Sequence, residues 1–352
     1  MKKIIVMVGS AVGGGSLRFA VNVAEWFSKN KNYDFTLVTQ EPVQGEYSIN
    51  PVVKRECILR NSYLRDVITI RKYLKKENID VSISIGIYHN LINCLAGIGL
   101  KTKTIISERN APKQDLLSKK TKLLRFLIFR FADGYVFQTK GAKEYYSRKI
   151  QQHSIVIHNP IKDNLPYRSE VHRKEIIASG RLMPQKNYPL MLKAFAKIHR
   201  KYPQYVLRVF GLGEHLDEYK KLALSLGIET SVIFEGFVNE GYYDKVKDSD
   251  IFVMSSDFEG MSNSLQEMMA MGFPVVCTDC PAGGPRELIE DYKNGRLVPL
   301  NDVKAFTNAI AEYIENPTLK EKCAREATKI RETHSLDIIM KKWVEYLEFI
   351  SR

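Results

Sequence analysis

Apolar residues fall into two kinds of block along this chain. Short continuous runs, such as the one spanning 2–9, read as strands buried on both faces, while longer stretches with apolar residues three and four apart read as helices. The pattern predicts strands over 2–9, 34–39, 53–59, 81–87, 103–108, 134–138 and 154–158, then over 175–180, 205–210, 232–235, 251–255 and 274–278. It predicts a helix over 16–29, with Leu17, Ala20, Val21, Ala24 and either Trp26 or Phe27 turned inward. Further helices are expected over 188–201, 214–226, 241–248, 262–271, 284–290 and 302–315, and the tail from about 318 to 352 reads as helix almost throughout. Pro189 at a helix start and Gly227 past a helix end fit the usual asymmetry of helix termini. Strand–helix alternation of this kind predicts parallel sheets covered on both faces. A polar, turn-rich stretch, Asn164-Leu-Pro-Tyr-Arg-Ser169, separates two such sets. The expected architecture is two doubly wound, Rossmann-like α/β domains, 1–165 and 166–333, with a last helix, 334–352, crossing back to the first. Open parallel sheets bind ligands beyond the carboxyl ends of their strands, so a site is expected in a central cleft that the two domains face.

Length and composition narrow the class. The chain has 352 residues, 44% hydrophobic and 26% charged, which suffices for large cores and excludes disorder. No apolar run reaches the ~20 residues of a membrane-spanning helix. The run after Lys2 and Lys3 is short and turns Gly-rich with no small-residue cleavage site, so it reads as a first strand rather than a signal peptide, and a cytosolic chain is expected. Five cysteines, Cys57, Cys94, Cys277, Cys280 and Cys323, form no disulfide framework; Cys277 and Cys280 make a lone C-x-x-C with no second pair to complete a zinc site. Buried thiols are the favoured reading. Charge is more informative. The net +13 is unevenly placed: residues 1–160 hold 26 Lys and Arg against 12 Asp and Glu, and residues 161–352 hold 27 against 28. A first half at +14 favours anionic partners: nucleic acid, an acidic membrane surface or phosphorylated ligands.

Candidate chemistry clusters after predicted strands. Following strand 251–255, Glu259 and Gly260 lie in a loop and a helix starts near Ser262. On a helical wheel Asn263 and Glu267 lie about 40° apart, with Glu259 extrapolating to the same side and Leu265, Met268 and Met269 to the other. Two carboxylates and an amide on one face suit a ligand site or, as readily, a solvated helix face. Arg181 and Lys186 follow strand 175–180, where two cations could hold phosphate oxygens or simply face solvent. Gly13, Gly14 and Gly15 follow the first strand, and Gly211 and Gly213 follow strand 205–210. Either glycine group allows close backbone approach to a ligand or a tight strand-to-helix turn. The first group has neither G-x-G-x-x-G spacing nor a Walker A lysine.

Taken together, these blocks resemble the GT-B retaining glycosyltransferases of family 4 over nearly the whole chain, most closely from Ala178 to Pro299. The E-x7-E motif appears as Glu259 to Glu267, the phosphate-binding pair as Arg181 and Lys186 within Gly180-Arg-Leu-Met-Pro-Gln-Lys-Asn187, and the acceptor-side loop as Gly13 to Gly15. The stretch Thr278-Asp-Cys-Pro-Ala-Gly-Gly-Pro-Arg-Glu287 is similar to the subgroup that builds bacterial surface polysaccharides and lipid-linked oligosaccharides. The resemblance implies that Glu267 binds the ribose of a nucleotide sugar, a UDP-sugar being the expected donor. It implies that Glu259 contacts the transferred sugar, that Arg181 and Lys186 neutralise the diphosphate, and that backbone near Gly260, Met261 and Ser262, with Gly211 and Gly213, helps hold the donor. The implied acceptor is a lipid-linked glycan, with no metal and no cofactor. Many such enzymes carry a first-domain histidine that touches the sugar; the comparable stretch here offers Glu108, Arg109 and Asn110. Glu108 or Arg109 then serves the acceptor side or forms a structural ion pair.

Asp248-Ser-Asp250 has D-x-D spacing but precedes a strand, which speaks against a metal site, and His153 and His158 fall on opposite sides of a strand. Segment 113–131 carries Lys113, Lys119, Lys120, Lys122, Arg125 and Arg130 against Asp115 alone, beside Leu116, Leu117, Leu123, Leu124, Leu127, Ile128 and Phe131. A basic amphipathic helix here suits an anionic membrane surface, placing the chain peripherally on the inner face of the cell membrane; a core helix with a basic outer face is the alternative. No nucleic-acid recognition motif is present. A nucleotide-sugar epimerase on the same fold, or a non-catalytic nucleic-acid binder, is the alternative function.

Overall fold

The computed structural model describes residues 1–9, 15–43, 49–114, 117–238 and 240–351. The chain divides into two compact units, Met1–Pro160 together with Leu336–Arg352, and Ile161–Ser335.

The first unit holds a parallel sheet of β1 (Lys2–Met7), β2 (Tyr33–Thr39), β3 (Lys54–Cys57), β4 (Val81–Ile85), β5 (Lys103–Glu108), β6 (Gly134–Phe137) and β7 (Ser154–Val156), in the order 3-2-1-4-5-6-7. Central β1 and β4 pair Ile4 with Val81 and Val6 with Ile83, all buried. Such strands lie between two helical layers, so both faces of the pleat are apolar and no polar alternation survives. Helix Gly15–Lys29 buries Leu17, Ala20, Val21, Ala24 and Phe27, while Trp26 donates its indole N–H to Asp337 at 2.8 Å. That aspartate opens the last helix, Leu336–Ser351, whose Ile339, Met340, Trp343 and Leu347 are buried in the first unit's core. Tyr346 pins the helix to the sheet: its hydroxyl accepts from Tyr135 N at 2.8 Å and donates to His153 O.

The second unit holds β8 (Arg173–Ser179), β9 (Val206–Phe210), β10 (Val232–Gly236), β11 (Ser249–Met254), β12 (Val275–Thr278) and β13 (Arg296–Val298), parallel and ordered 10-9-8-11-12-13. β13, at the edge, is absent from the hydrophobic pattern because only three residues pair with β12, and one of them is Arg296. Helix Tyr188–Lys201 begins at a left-handed Asn187 cap and buries Leu190, Met191, Phe195 and Ile198 against the sheet.

One expectation is displaced. Segment 113–131 is not one amphipathic helix: the regular part is Lys119–Ile128, followed by a 3-10 turn at Phe129–Phe131. Its expected faces hold only in part: Leu124 and Ile128 pack on the core, but Arg125 is buried while Leu123, Leu127 and Phe131, with Phe126, are exposed. The guanidinium of Arg125 reaches Pro112 O at 2.9 Å and Tyr145 Oη at 3.0 Å, and these bonds inside the unit turn those apolar side chains outward. Asp248 and Asp250 are spent on the fold. Asp250 is buried, accepting from Lys320 Nζ and Tyr205 Oη at 2.6 Å each with Arg168 beside it, and Asp248 accepts from Ser169 Oγ.

Candidate active site

In the second unit, three loops at the carboxyl ends of β8, β11 and β12 are stitched into one frame. The chain leaves β8 at Ser179, passes Gly180 and Arg181, and turns through Pro184–Lys186. Gln185 bonds the β11 loop twice, accepting from Asp257 N and donating its amide to Phe258 O, both at 2.8 Å. Asn187 Nδ2 donates to Asp257 Oδ1 at 2.7 Å, and Ser255 Oγ donates to Lys186 O at 2.8 Å. The β12 loop joins through Thr278 Oγ1 to Ser256 O at 2.6 Å and Glu259 N to Pro281 O at 3.3 Å.

This frame puts Lys186 and Glu259, 73 positions apart, in direct ion-pair contact. Oε1 of Glu259 takes both the Lys186 ammonium and a 2.9 Å bond from Ser256 Oγ. Glu259 is only 8% exposed and Glu267 only 4%, so neither sits on a solvated face. A largely desolvated pair is held by geometry more than by net stabilisation. Burial, and next the charge of Glu259, pushes the thiol of Cys280 up, and Cys277 shifts the same way; both stay protonated.

The glycines define how tightly the loops meet. A Cβ on Gly211, whose φ is +147°, would lie 1.9 Å from Gly180 O, and one on Gly213 would lie 2.1 Å from Leu182 O. Gly260 carries the β11 loop against Gly284, where a Cβ would come within 1.7 Å of Gly260 O. Beyond buried Met261, Ser262 caps helix Asn263–Met271, its hydroxyl accepting from Leu265 N at 3.4 Å. The amides of that first turn carry the positive end of the helix dipole. Arg181 is exposed and makes no ion pair among the described residues.

The first unit holds the remaining candidates. Gly13 and Gly14 lie outside the described residues, and Gly15 opens the first helix. Glu108, buried at the end of β5, accepts from Tyr146 Oη at 3.1 Å. Arg109 makes no ion pair among the described residues: Nη1 donates to Asn159 Oδ1 at 3.1 Å, and its guanidinium lies 3.5 Å over the ring of Phe19. Its Nε and Nη2 are sealed from solvent with no partner, and burial pushes its pKa down to about 9.

Residues 165–330 match the family model described as glycosyl transferases group 1. The match spans nearly all of the second unit, whose likeness is therefore to the group 1 glycosyl transferases. Relatives extend the likeness to the whole chain. An uncharacterised glycosyltransferase of Haemophilus influenzae is 28% identical over 97% of this chain and 99% of its own length. A Campylobacter jejuni relative, 28% identical over 78% of this chain and 76% of its own, is named an N-acetylgalactosaminyltransferase acting on a diphospho-undecaprenol-linked glycan. Among solved structures, Anabaena HepE with UDP and glucose aligns at TM-score 0.85 over 99% of this chain and all of its own, at 17% identity, a likeness of fold. The two parallel-sheet domains are those of the GT-B glycosyltransferases.

Two side chains in this fold escape a motif search. Gln266, beside Glu267, is fully buried with neither amide atom bonded among the described residues. His89 stands just past the end of β4, its Nδ1 3.1 Å from Ile85 O, its Nε2 unbonded and its ring against Gly9. Burial pushes its pKa down to about 4. The folded imidazole therefore stays neutral while the unfolded one protonates below its ordinary 6.5. Stability present above pH 6.5 is lost as pH falls toward 4, by about 3 kcal/mol in all. Denaturant titrations of wild type and His89→Gln across that window should show the variant losing this limb; parallel curves would refute it.

A second expectation concerns the loop frame. Gly284→Ala should displace the Gly260 carbonyl, destabilise the second unit by roughly 1–3 kcal/mol and lower transfer more than tenfold by shifting Glu259. A melting curve and a rate indistinguishable from wild type would show that the frame yields without cost.

Proposed function

We propose that the chain transfers a hexose from a UDP-sugar, with retention of configuration, to a glycan carried on a lipid diphosphate, as a step in surface polysaccharide synthesis at the cytoplasmic face of the membrane. The observation that carries this reading is the buried Lys186–Glu259 pair, framed by loops at strand carboxyl ends beside a helix N-terminus, within the segment that matches the family model. As the bond from the anomeric carbon to the diphosphate breaks, negative charge grows on the leaving oxygen. Arg181 and Lys186 neutralise it, and the amides around Gly260, Met261 and Ser262 add the helix dipole. Lys186 exchanges Glu259 for a phosphate oxygen, which releases Glu259 to accept hydroxyls of the sugar. Glu267 takes the ribose hydroxyls, and Gly211 and Gly213 keep backbone open to the donor. No metal is needed where two side-chain cations serve.

We assign Gly13 to Gly15, Glu108 and Arg109 to the acceptor side, with Arg109 supplying positive charge there while Asn159 holds its Nη1. The UDP and glucose of the Anabaena structures support the donor class, and the name of the Campylobacter relative supports the lipid-linked acceptor. The basic first unit, through segment 113–131, docks on anionic lipid. Nucleotide release from a panel of UDP- and GDP-sugars, with and without bacterial lipid-linked oligosaccharide, tests the reading. Acceptor-dependent UDP release from one donor is expected. Release or sugar interconversion indifferent to acceptor would favour an epimerase, and silence in folded protein would sink the proposal.

A further inference from the structure

The first unit contains a cavity of about 910 Å³ with no part in the chemistry above. It opens at the amino ends of the sheet, the edge opposite the strand ends where ligands of such folds bind. Lys103 stands at the start of β5, and Asp133 and His153 just ahead of β6 and β7. Its volume is at the upper end of the ~300–1,000 Å³ typical of ligand pockets. Rings and aliphatic side chains line it: Phe126 and Tyr145 on one side, Ile150, Phe349 and Ile350 on another. Phe126 is 73% exposed and Phe349 59%, and Leu123 and Leu127 on the helix of Phe126, with Phe131 just past it, are exposed as well. Contiguous exposed apolar surface on a folded domain marks a binding face.

Charge identifies the occupant. Arg130 and Lys149 line the cavity as exposed cations, with Lys103 beside the lining carboxylate, Asp133. That carboxylate is already engaged, accepting from Thr104 N at 2.8 Å and Thr104 Oγ1 at 3.1 Å with Lys103 Nζ 3.6 Å away. An apolar interior under a cationic rim fits a ligand with a hydrocarbon chain and an anionic head. A nucleotide or free phosphate would leave the interior empty, and a neutral lipid would offer nothing to Arg130 and Lys149. Lys119 and Lys120, exposed on the same helix as Phe126, continue the positive surface outward.

We propose that this cavity takes an acyl chain of an anionic phospholipid, with the headgroup phosphate held by the rim cations. It rests on the reading that the first unit docks on anionic membrane, and makes that docking a stoichiometric lipid site rather than a diffuse attraction.

The test separates the two. Short-chain dioctanoyl phosphatidylglycerol, below its micelle concentration, is titrated into the full chain by calorimetry, with dioctanoyl phosphatidylcholine and inorganic phosphate as comparisons. Vesicles of phosphatidylglycerol and phosphatidylcholine are co-sedimented in parallel. The phosphatidylglycerol analogue should bind saturably at one to one, and the other two at least tenfold more weakly. Ala132→Trp, which fills the cavity, and Lys149→Glu, an exposed rim substitution that spares the core, should each weaken the short lipid at least tenfold. Lys119→Glu with Lys120→Glu should weaken vesicle binding and leave the short lipid bound. No saturable site in wild type, or equal binding by both cavity variants, overturns the proposal while vesicle binding still decides the docking reading. Short-lipid binding without vesicle binding leaves the cavity standing and removes the docking.

Discussion

Glu259→Gln should lower transfer by about 10²–10³-fold, the order seen when a preorganised polar contact at a reacting centre is lost. The substitution keeps side-chain volume and leaves an amide oxygen for the 2.9 Å bond from Ser256. It removes the charge that Lys186 faces and the acceptor for the sugar hydroxyls. The loops stay joined through Gln185, Asn187 and Thr278, so the second unit should keep its fold, at a local cost of about 1–3 kcal/mol. Lys186→Ala should fall by a similar factor, and the double variant by less than the product, because the two residues act as a unit. Steady-state kcat/KM with a fixed acceptor, beside thermal unfolding of each protein, checks this. Wild-type rates in Glu259→Gln would remove Glu259 from the site.

The largest effect on stability should come from Asp250→Ala. This carboxylate is buried and gathers Lys320 and Tyr205 at 2.6 Å with the Arg168 guanidinium at 3.8 Å. Removing it leaves Lys320 in the interior without its counter-charge and Arg168 with Glu321 alone, a loss of about 3–5 kcal/mol. Asp248→Ala, two residues away and more exposed, should cost less than about 1 kcal/mol. Chemical denaturation of the two variants measures the difference. Similar losses would mean that Arg168 finds enough in its exposed partner Glu321.

Much of the architecture could be read from the residues because parallel strands buried on both faces are conspicuous. The runs that predict β5 and helix 188–201 coincide with the structure at both ends, and the inward positions of the first helix are those of the folded chain. What periodicity cannot see is where a long side chain goes. Arg125 counted as part of a basic face, yet its guanidinium is sunk among Pro112, Tyr145 and Tyr146, and that choice turned Leu123 and Phe126 outward. The site was legible in part. Spacing put Glu259 and Glu267 on one polar face but could not show that both are buried. Lys186 and Glu259 were named from separate blocks, and their contact depends on the Gln185 and Asn187 bonds between loops. Arg109 offered a choice between a ligand contact and an ion pair; the fold gives it an aromatic ring and an amide, which no spacing rule encodes. His89 and Gln266 were invisible because neither belongs to a motif and spacing does not show which polar side chains the fold buries without partners.

Because residues 336–352 belong to the first unit, that unit cannot close its core while the ribosome is still making the second. Trp343, Met340 and Leu347 are missing from it, and Tyr135 N lacks the Tyr346 hydroxyl. The second unit, contiguous over 161–335, is complete first, which inverts the usual amino-to-carboxyl order of domain maturation. At ~5–20 residues per second, translating that interval takes roughly 10–35 s. Throughout it the nascent first sheet displays apolar surface that only the last helix covers, so the connectivity itself makes this chain a client for holding chaperones during synthesis.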